Sequence, residues 1–278
     1  MFDIFKNRLE MTATLTTVTA MRISEGRSLD PIGPDLPVIK DALGQPYIPG
    51  SSFKGAMRSR LESFVRAIVD EYQYPVSNPA EESEWAITSA QLKDIKKKFE
   101  SQDHADQQLT HEILEKTDIV SRVFGSPWMA SKLQIRDLPV QADGWFGQYQ
   151  ERDGVSIDRD TETAADSKLY NYQVVPAHTA FEFQAVVENA TPAELGLILF
   201  GLHQFQTQQI PLGGGRSRGL GVVELSEPKF DWFEATTPEV LLQYLKENVE
   251  NTRIVSNLAP ELREAWSKEL IDYLSAKA

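Results

Sequence analysis

The sequence predicts an α+β chain with a βαββαβ core, and three observations carry that expectation. Apolar and polar residues alternate along residues 10–23 and 178–188, the period of half-buried strands. Phe53, Met57, Leu61, Phe64 and Ile68 recur at spacings of three and four, as do Leu195, Leu199, Leu202 and Phe205, the period of two amphipathic helices. These segments fall in the order strand, helix, strand, strand, helix, strand.

Each element has its own justification. Glu10 to Ile23 is rich in Thr, Val and Leu and reads as the first strand. Ser24 to Gln45 holds three prolines and three glycines and reads as a long loop, a kind that often carries function. Ser52 to Val69 reads as the first helix, with Ser51 and Ser52 placed to cap its start after a Pro-Gly turn. Residues 70–121 are polar and acidic, with helices expected near 89–101 and 105–118, and read as an insertion. Its run Lys96-Lys97-Lys98 reads as a solvated helix face. Ser131 to Val140 reads as the second strand, and Asp143 to Lys168, with no core period, as a protruding loop or hairpin. His178 to Glu188 is the third strand. Thr191, Pro192 and Glu194 then form a capping box with proline in the first turn. His203 beside that helix's stripe reads as a structural histidine. The glycine-rich run PLGGGRSRGLG feeds the last strand, and helices are expected over 237–249 and 260–276. The whole describes a ferredoxin-like, RNA-recognition-type domain with insertions and a C-terminal helical extension.

Composition narrows the function. The 278 residues are 41% hydrophobic, enough for a sizeable core, and no run approaches the roughly 20 apolar residues of a membrane span. The start, MFDIFKNRLEM, lacks a long apolar run, so no signal peptide is expected. The absence of cysteine excludes disulfides and thiolate metal sites and suits a cytoplasmic setting. The four histidines lack the spacing of a zinc site. The net charge of −13 argues against nucleic acid until it is mapped. Residues 1–68 are net +2, whereas 69–120, 121–225 and 226–278 carry −7, −4 and −4. The positive segment holds YIPGSSFKGAMRSRL, in which Ser51 and Ser52 precede Lys54, Arg58 and Arg60. A helix start offers free N–H groups and a positive dipole end, so basic side chains beside it point to phosphate.

Four motifs in sequence order carry a family resemblance. They are GPDLPVIKD (33–41) with YIPGSSFKG, then Val123-Phe124-Gly125 with SKLQIRD, then residues 156–181, and finally GGGRSRGLG (213–221). In this order they resemble the RAMP superfamily of CRISPR systems, and more closely the repeated backbone subunit of type III effector complexes. Two positions depart from the pattern: Ser24-Glu25-Gly26 replaces a usual Gly-Gly pair, and Pro34 replaces an aliphatic residue before Asp35.

The resemblance implies a domain over 1–228, interrupted by the insertion at 70–121 and a thumb hairpin at 141–175, with an extension at 229–278. It implies guide RNA, complementary target RNA and neighbouring RAMP and other effector subunits as partners, in the prokaryotic cytoplasm, with no membrane. Ser51, Ser52, Lys54, Arg58 and Arg60 would contact guide phosphates. So would Gly213, Gly214, Gly215, Arg216, Ser217 and Arg218 of the glycine-rich loop, while Ile157, Asp158 and Arg159 would lie in the thumb. Asp35 matches the position of the RNA-cleaving aspartate, which implies a divalent metal ion, Mg2+, and the target's own 2′-hydroxyl as nucleophile. Asp30 and Asp41 are nearby alternatives, although Asp41 reads as structural. Three rivals stay open: a non-catalytic scaffold of the same complex, a guide-processing endoribonuclease, and a free-standing nucleotide-binding enzyme. The last lacks a GxxxxGK[ST] loop.

Overall fold

The structure is a computed structural model that describes residues 4–24, 26, 34–99, 105–154, 170–250, 252 and 258–278. Its frame is a four-stranded antiparallel sheet made by β1 (Asn7–Thr17), β3 (Leu133–Ile135), β7 (Ala180–Glu188) and β8 (Val223–Glu234), in the order β3-β7-β1-β8. With α1 (Gly50–Ile68) after the first strand and α5 (Pro192–Gln206) after the third, this is the ferredoxin-like βαββαβ arrangement. Both helices cover one face. Leu9, Met11, Leu15, Phe181, Phe183, Ala185 and Val187 alternate into that core, where Phe53 stacks on Phe205 at 4.1 Å and meets Phe183 at a tilt at 4.9 Å. On the opposite face β1 and β7 present Arg8, Glu10, Thr12, Thr14, Glu182, Gln184 and Glu188, with Arg8 paired to Glu10 and Glu188 at 2.7 and 2.6 Å. These central strands therefore lack the aromatic platform on which RNA-recognition sheets stack bases.

Several boundaries differ from expectation. The first strand spans 7–17, because pairing on both sides ends at Thr17, whose hydroxyl donates to the Pro176 carbonyl. The expected 131–140 strand splits into β3 and β4 (Leu138–Pro139), which pairs with β2 (Tyr47–Ile48); Asp137 in the break turns its carboxylate to α1. In α1 the buried stripe follows Phe53, Met57, Leu61, Val65 and Val69, a strict four-residue step, and Ile68 is 43% exposed. The capping box at α5 forms as expected, with Thr191 Oγ1 accepting from the Glu194 N–H and Glu194 accepting from the Thr191 N–H. Glu194 also makes a 2.6 Å buried ion pair with Lys132. His203, read as a structural histidine, borders the stripe and is exposed.

The remaining elements decorate this core. α2 (Ser89–Phe99) and α3 (Ala105–Lys116) share a small cluster of Ile87, Leu92 and Ile95 in the insertion. Lys96, Lys97 and Lys98 lie on its exposed side, and Lys98 pairs with Glu112 at 2.8 Å. The short α4 (Ile119–Phe124) leads to the edge strand. β5 (Gln150–Gly154) and β6 (Tyr170–Val174) form the base of the expected hairpin. Residues 155–169, including Ile157, Asp158 and Arg159, lie outside the described residues. Beyond β8 come α6 (Pro238–Glu250) and α7 (Pro260–Ser275), the latter packed on α5 so closely that a Cβ at Gly196 would sit 2.2 Å from the Trp266 carbonyl oxygen.

Candidate nucleic-acid interface

The loops that carry the sequence motifs meet at the end of the sheet where β1 finishes and β7 and β8 begin. After Thr17 the chain bends through Ala20–Ser24 and pairs as it goes. Met21 exchanges both backbone hydrogen bonds with Val175, and Ile39 N–H donates to the Ile23 carbonyl at 2.9 Å. This places the 34–40 loop beside the returning strand of the hairpin. Asp35 N–H donates to Asn171 Oδ1 at 2.7 Å, and Asn171 N–H donates back to Asp35 Oδ2 at 3.0 Å. Leu36 bridges Tyr172 in parallel, and Gln173 N–H donates to the Leu36 carbonyl at 3.1 Å. The segment after Pro34 is thus tied to β6 by a single parallel bridge. Asp41 closes the next turn by accepting from the Leu43 and Gln45 N–H groups, which confirms its structural reading. Asp30 lies outside the described residues.

The glycine-rich loop joins the same network. Gly213, Gly215, Gly219 and Gly221 all have φ near +80°, a conformation that side chains oppose. Two of them are also pinned by backbone contact: a Cβ at Gly213 would lie 2.1 Å from the Arg22 carbonyl oxygen, and one at Gly221 2.0 Å from that of Leu212. Gly214 N–H donates to the same Arg22 carbonyl at 2.8 Å. The loop thereby presents Arg216, Ser217 and Arg218 as one exposed turn. Arg218 donates to the Tyr170 hydroxyl at 2.9 Å, and that hydrogen bond, with the charge of the phenol, holds its pKa above the usual value. The Arg22 guanidinium lies 5.1 Å from the centre of the Tyr172 ring, and its buried Nε has no partner among the described residues. Arg22, Arg216 and Arg218 suit phosphate contact and the partly exposed Tyr170 ring suits base stacking, while Tyr172 is buried against Arg22. Arg22, Tyr170, Asn171 and Tyr172 were not singled out from the sequence. The signal was present in LYNYQVV, where tyrosines two apart share one face of a strand.

The start of α1 is built differently from the expectation. Pro49 is its N-cap, and neither Ser51 nor Ser52 makes a capping bond. The Gly50 N–H is instead taken by Asp137 Oδ1 at 2.8 Å, and Ser52 N–H donates to the Pro49 carbonyl. Glycine is needed at position 50 because a Cβ would come within 2.5 Å of the Ile135 carbonyl oxygen. An acidic side chain reached this helix end first, through a break in the neighbouring strand that periodicity does not reveal. Ser51 is exposed. Lys54 turns inward, donating to Ser131 Oγ at 2.6 Å and the Leu133 carbonyl at 2.9 Å. Burial, and secondarily Arg58, hold its pKa below the usual lysine value. Arg58 pairs with Glu62 at 2.7 Å and donates to the Gly125 carbonyl at 3.1 Å, so it fastens the Val123-Phe124-Gly125 element. Arg60 is half-exposed over the Phe64 ring at 4.6 Å. The structure therefore gathers Asp35 with Arg216 and Arg218 through β6, while Lys54 and Arg58 brace the edge strand.

Among the described residues no three His, Asp or Glu side chains converge, so Asp35 would supply a single protein carboxylate. That suits an ion of the Mg2+ type held largely by substrate phosphate and water, and does not suit an all-protein cage. No described helix is long and apolar enough to cross a membrane.

The family model for the RAMP superfamily matches residues 14–224, from the second half of β1 to the start of β8, which takes in every loop just described. Over 56 residues the chain is 43% identical to a Mycobacterium tuberculosis protein named CRISPR system Cms endoribonuclease Csm3. That segment covers 19% of this chain and 24% of the relative, so the two are comparable over about a quarter of the relative's length.

Proposed function

The chain belongs to the RAMP superfamily, and from that membership we propose that it is a guide-RNA-binding backbone subunit of a type III CRISPR interference complex that cleaves complementary target RNA through Asp35. The observation that carries this reading is the junction of the 34–36 loop, the hairpin strand and the glycine-rich loop. It sets a carboxylate one residue pairing away from an arginine–tyrosine surface. The name of the partial relative supports ribonuclease chemistry.

The residues divide the work. Arg216 and Arg218 hold phosphates as charged forks, and the flanking glycines let backbone N–H groups approach. Ser51 and Ser52 add hydroxyl contacts from the start of α1, and Arg60 adds a charge about two turns further along it. Lys54 and Arg58 contribute positive potential from behind the edge strand. In the reaction the target 2′-hydroxyl attacks the adjacent phosphorus, the P–O5′ bond breaks, and a 2′,3′-cyclic phosphate and a 5′-hydroxyl result. Asp35 Oδ2 is engaged by Asn171, so Oδ1 is the atom directed to the scissile linkage. A bound divalent ion would supply charge neutralisation at the phosphate, with Asp35 as its protein ligand.

A second reading has its own support: the reciprocal Asp35–Asn171 bonds are also what a purely structural aspartate would make, in a non-catalytic scaffold of the same complex. The test is to purify the protein with its partners, confirm that RNA of uniform length copurifies, and assay target cleavage by Asp35→Ala. Copurified RNA with lost cleavage supports the full proposal. Copurified RNA with unchanged cleavage leaves the scaffold, and absence of RNA removes both.

A further inference from the structure

We propose that Asn171 is a positioning residue for the cleavage reaction: it fixes the Asp35 carboxylate by gripping the loop at both its N–H and its Oδ2. This inference rests on the reading of Asp35 as the cutting residue and adds a device to it.

A carboxylate on a loop is poorly fixed unless its own rotamer and backbone are both held. Here both are. The Asn171 side-chain oxygen accepts the Asp35 N–H at 2.7 Å and sets the backbone. The Asn171 main-chain N–H donates to Asp35 Oδ2 at 3.0 Å and sets the side chain. The next residues lock the register, through the parallel Leu36–Tyr172 bridge and the 3.1 Å bond from Gln173 N–H to the Leu36 carbonyl. Pro34 precedes this pair and removes one backbone donor and the freedom of its own φ, so the loop enters the pairing from a restricted direction. The strand that grips Asp35 is the same one whose Tyr170 receives Arg218 from the glycine-rich loop at 2.9 Å. Three motifs far apart in sequence are thereby tied within three consecutive residues of β6. A displacement of about 1 Å at a reacting group can cost about 100-fold in rate, so this grip belongs to the chemistry as well as to the fold.

The experiment compares assembled, guide-loaded complexes carrying wild type, Asn171→Ala, Asn171→Asp and Asp35→Ala. Asn171→Ala removes the side-chain acceptor and keeps the main-chain donor. Asn171→Asp is nearly isosteric and keeps the acceptor. Copurified guide, target affinity and the single-turnover cleavage rate at saturating target are measured for each. The expected result for Asn171→Ala is at least a tenfold slower saturated rate, with guide content and target affinity unchanged. Asn171→Asp recovers at least half of that loss on a logarithmic scale. A normal rate in Asn171→Ala while Asp35→Ala is inactive overturns the positioning role and leaves Asp35 as the cutting residue. Normal cleavage by Asp35→Ala overturns the underlying reading instead. Loss of affinity with an unchanged saturated rate, or failure of Asn171→Ala to assemble, shows a merely structural asparagine and also overturns the proposal.

Discussion

Replacing Gly213 by alanine should damage the glycine-rich loop far more than the same change at Gly219, although the two share nearly the same backbone. Their φ values are +78° and +80°. An alanine in this left-handed conformation costs roughly 1–2 kcal/mol at either site. At Gly219 nothing among the described residues lies within 4 Å of the new Cβ, so that cost is the whole effect. At Gly213 the new Cβ would stand 2.1 Å from the Arg22 carbonyl oxygen and 2.8 Å from its carbon. Backbone atoms cannot rotate away, so Arg22 and the loop must separate by about 1 Å to restore ordinary contact. That separation breaks the 2.8 Å bond from Gly214 N–H to the Arg22 carbonyl. Losing it costs about 1 kcal/mol, and more if the groups stay buried. The expected totals are at least about 2–3 kcal/mol for Gly213→Ala and about 1–2 kcal/mol for Gly219→Ala. At about 2–4 °C per kcal/mol, thermal unfolding should separate the variants by several degrees. Gly213→Ala should also weaken RNA binding, because Arg22 moves with the loop. Equal melting temperatures for the two variants would refute the claim that contact with Arg22, rather than φ alone, selects glycine at position 213.

Other sites give sharp expectations. Lys132→Met strands Glu194 in the core, and the loss of one partner of this buried pair should cost about 3–5 kcal/mol in denaturant unfolding, largely recovered by adding Glu194→Gln. Asp137→Ala uncaps α1 and should cost about 1–2 kcal/mol, with Asp137→Asn milder, read by the same unfolding curves. Arg216→Ala and Arg218→Ala should each lower RNA affinity and reduce the salt slope by about 0.7 per phosphate lost. Lys54→Met and Arg58→Met should chiefly lower stability, and a salt slope reduced as much as in Arg216→Ala would show direct phosphate contact instead. Burial first, and Asp41 second, push the Tyr149 hydroxyl up to about 12 from 10. The folded state therefore keeps this proton longer than the unfolded one, and its contribution to stability is full below pH 10 and lost as pH rises through about 12. Ultraviolet titration of tyrosine should show a late-ionising phenol that is lost in Tyr149→Phe, apart from Tyr273, which burial also pushes up.

The core was legible because two periods and a capping box are local signals. Residues 180–188 alternate against a helix-covered face, and Thr191, Pro192 and Glu194 declare a helix start without reference to the rest of the chain. The start of α1 was misread for the opposite reason. Its capping group, Asp137, comes from 87 residues away in sequence, and no local pattern links it to Gly50. The same limit explains Lys54 and Arg58, whose spacing marks a basic helix face but whose partners, Ser131 and Gly125, are set by tertiary packing. Asp35 and the glycine-rich loop were found by motif. Their meeting through Tyr170 and Asn171 was not, since it depends on a hairpin strand returning to the end of the sheet.

Target cleavage by the assembled, guide-loaded complex carrying Asp35→Ala tests the central claim most directly. The account predicts that guide RNA and target binding persist while cleavage at this subunit's positions disappears. Cleavage at the wild-type rate and at every wild-type position would contradict it.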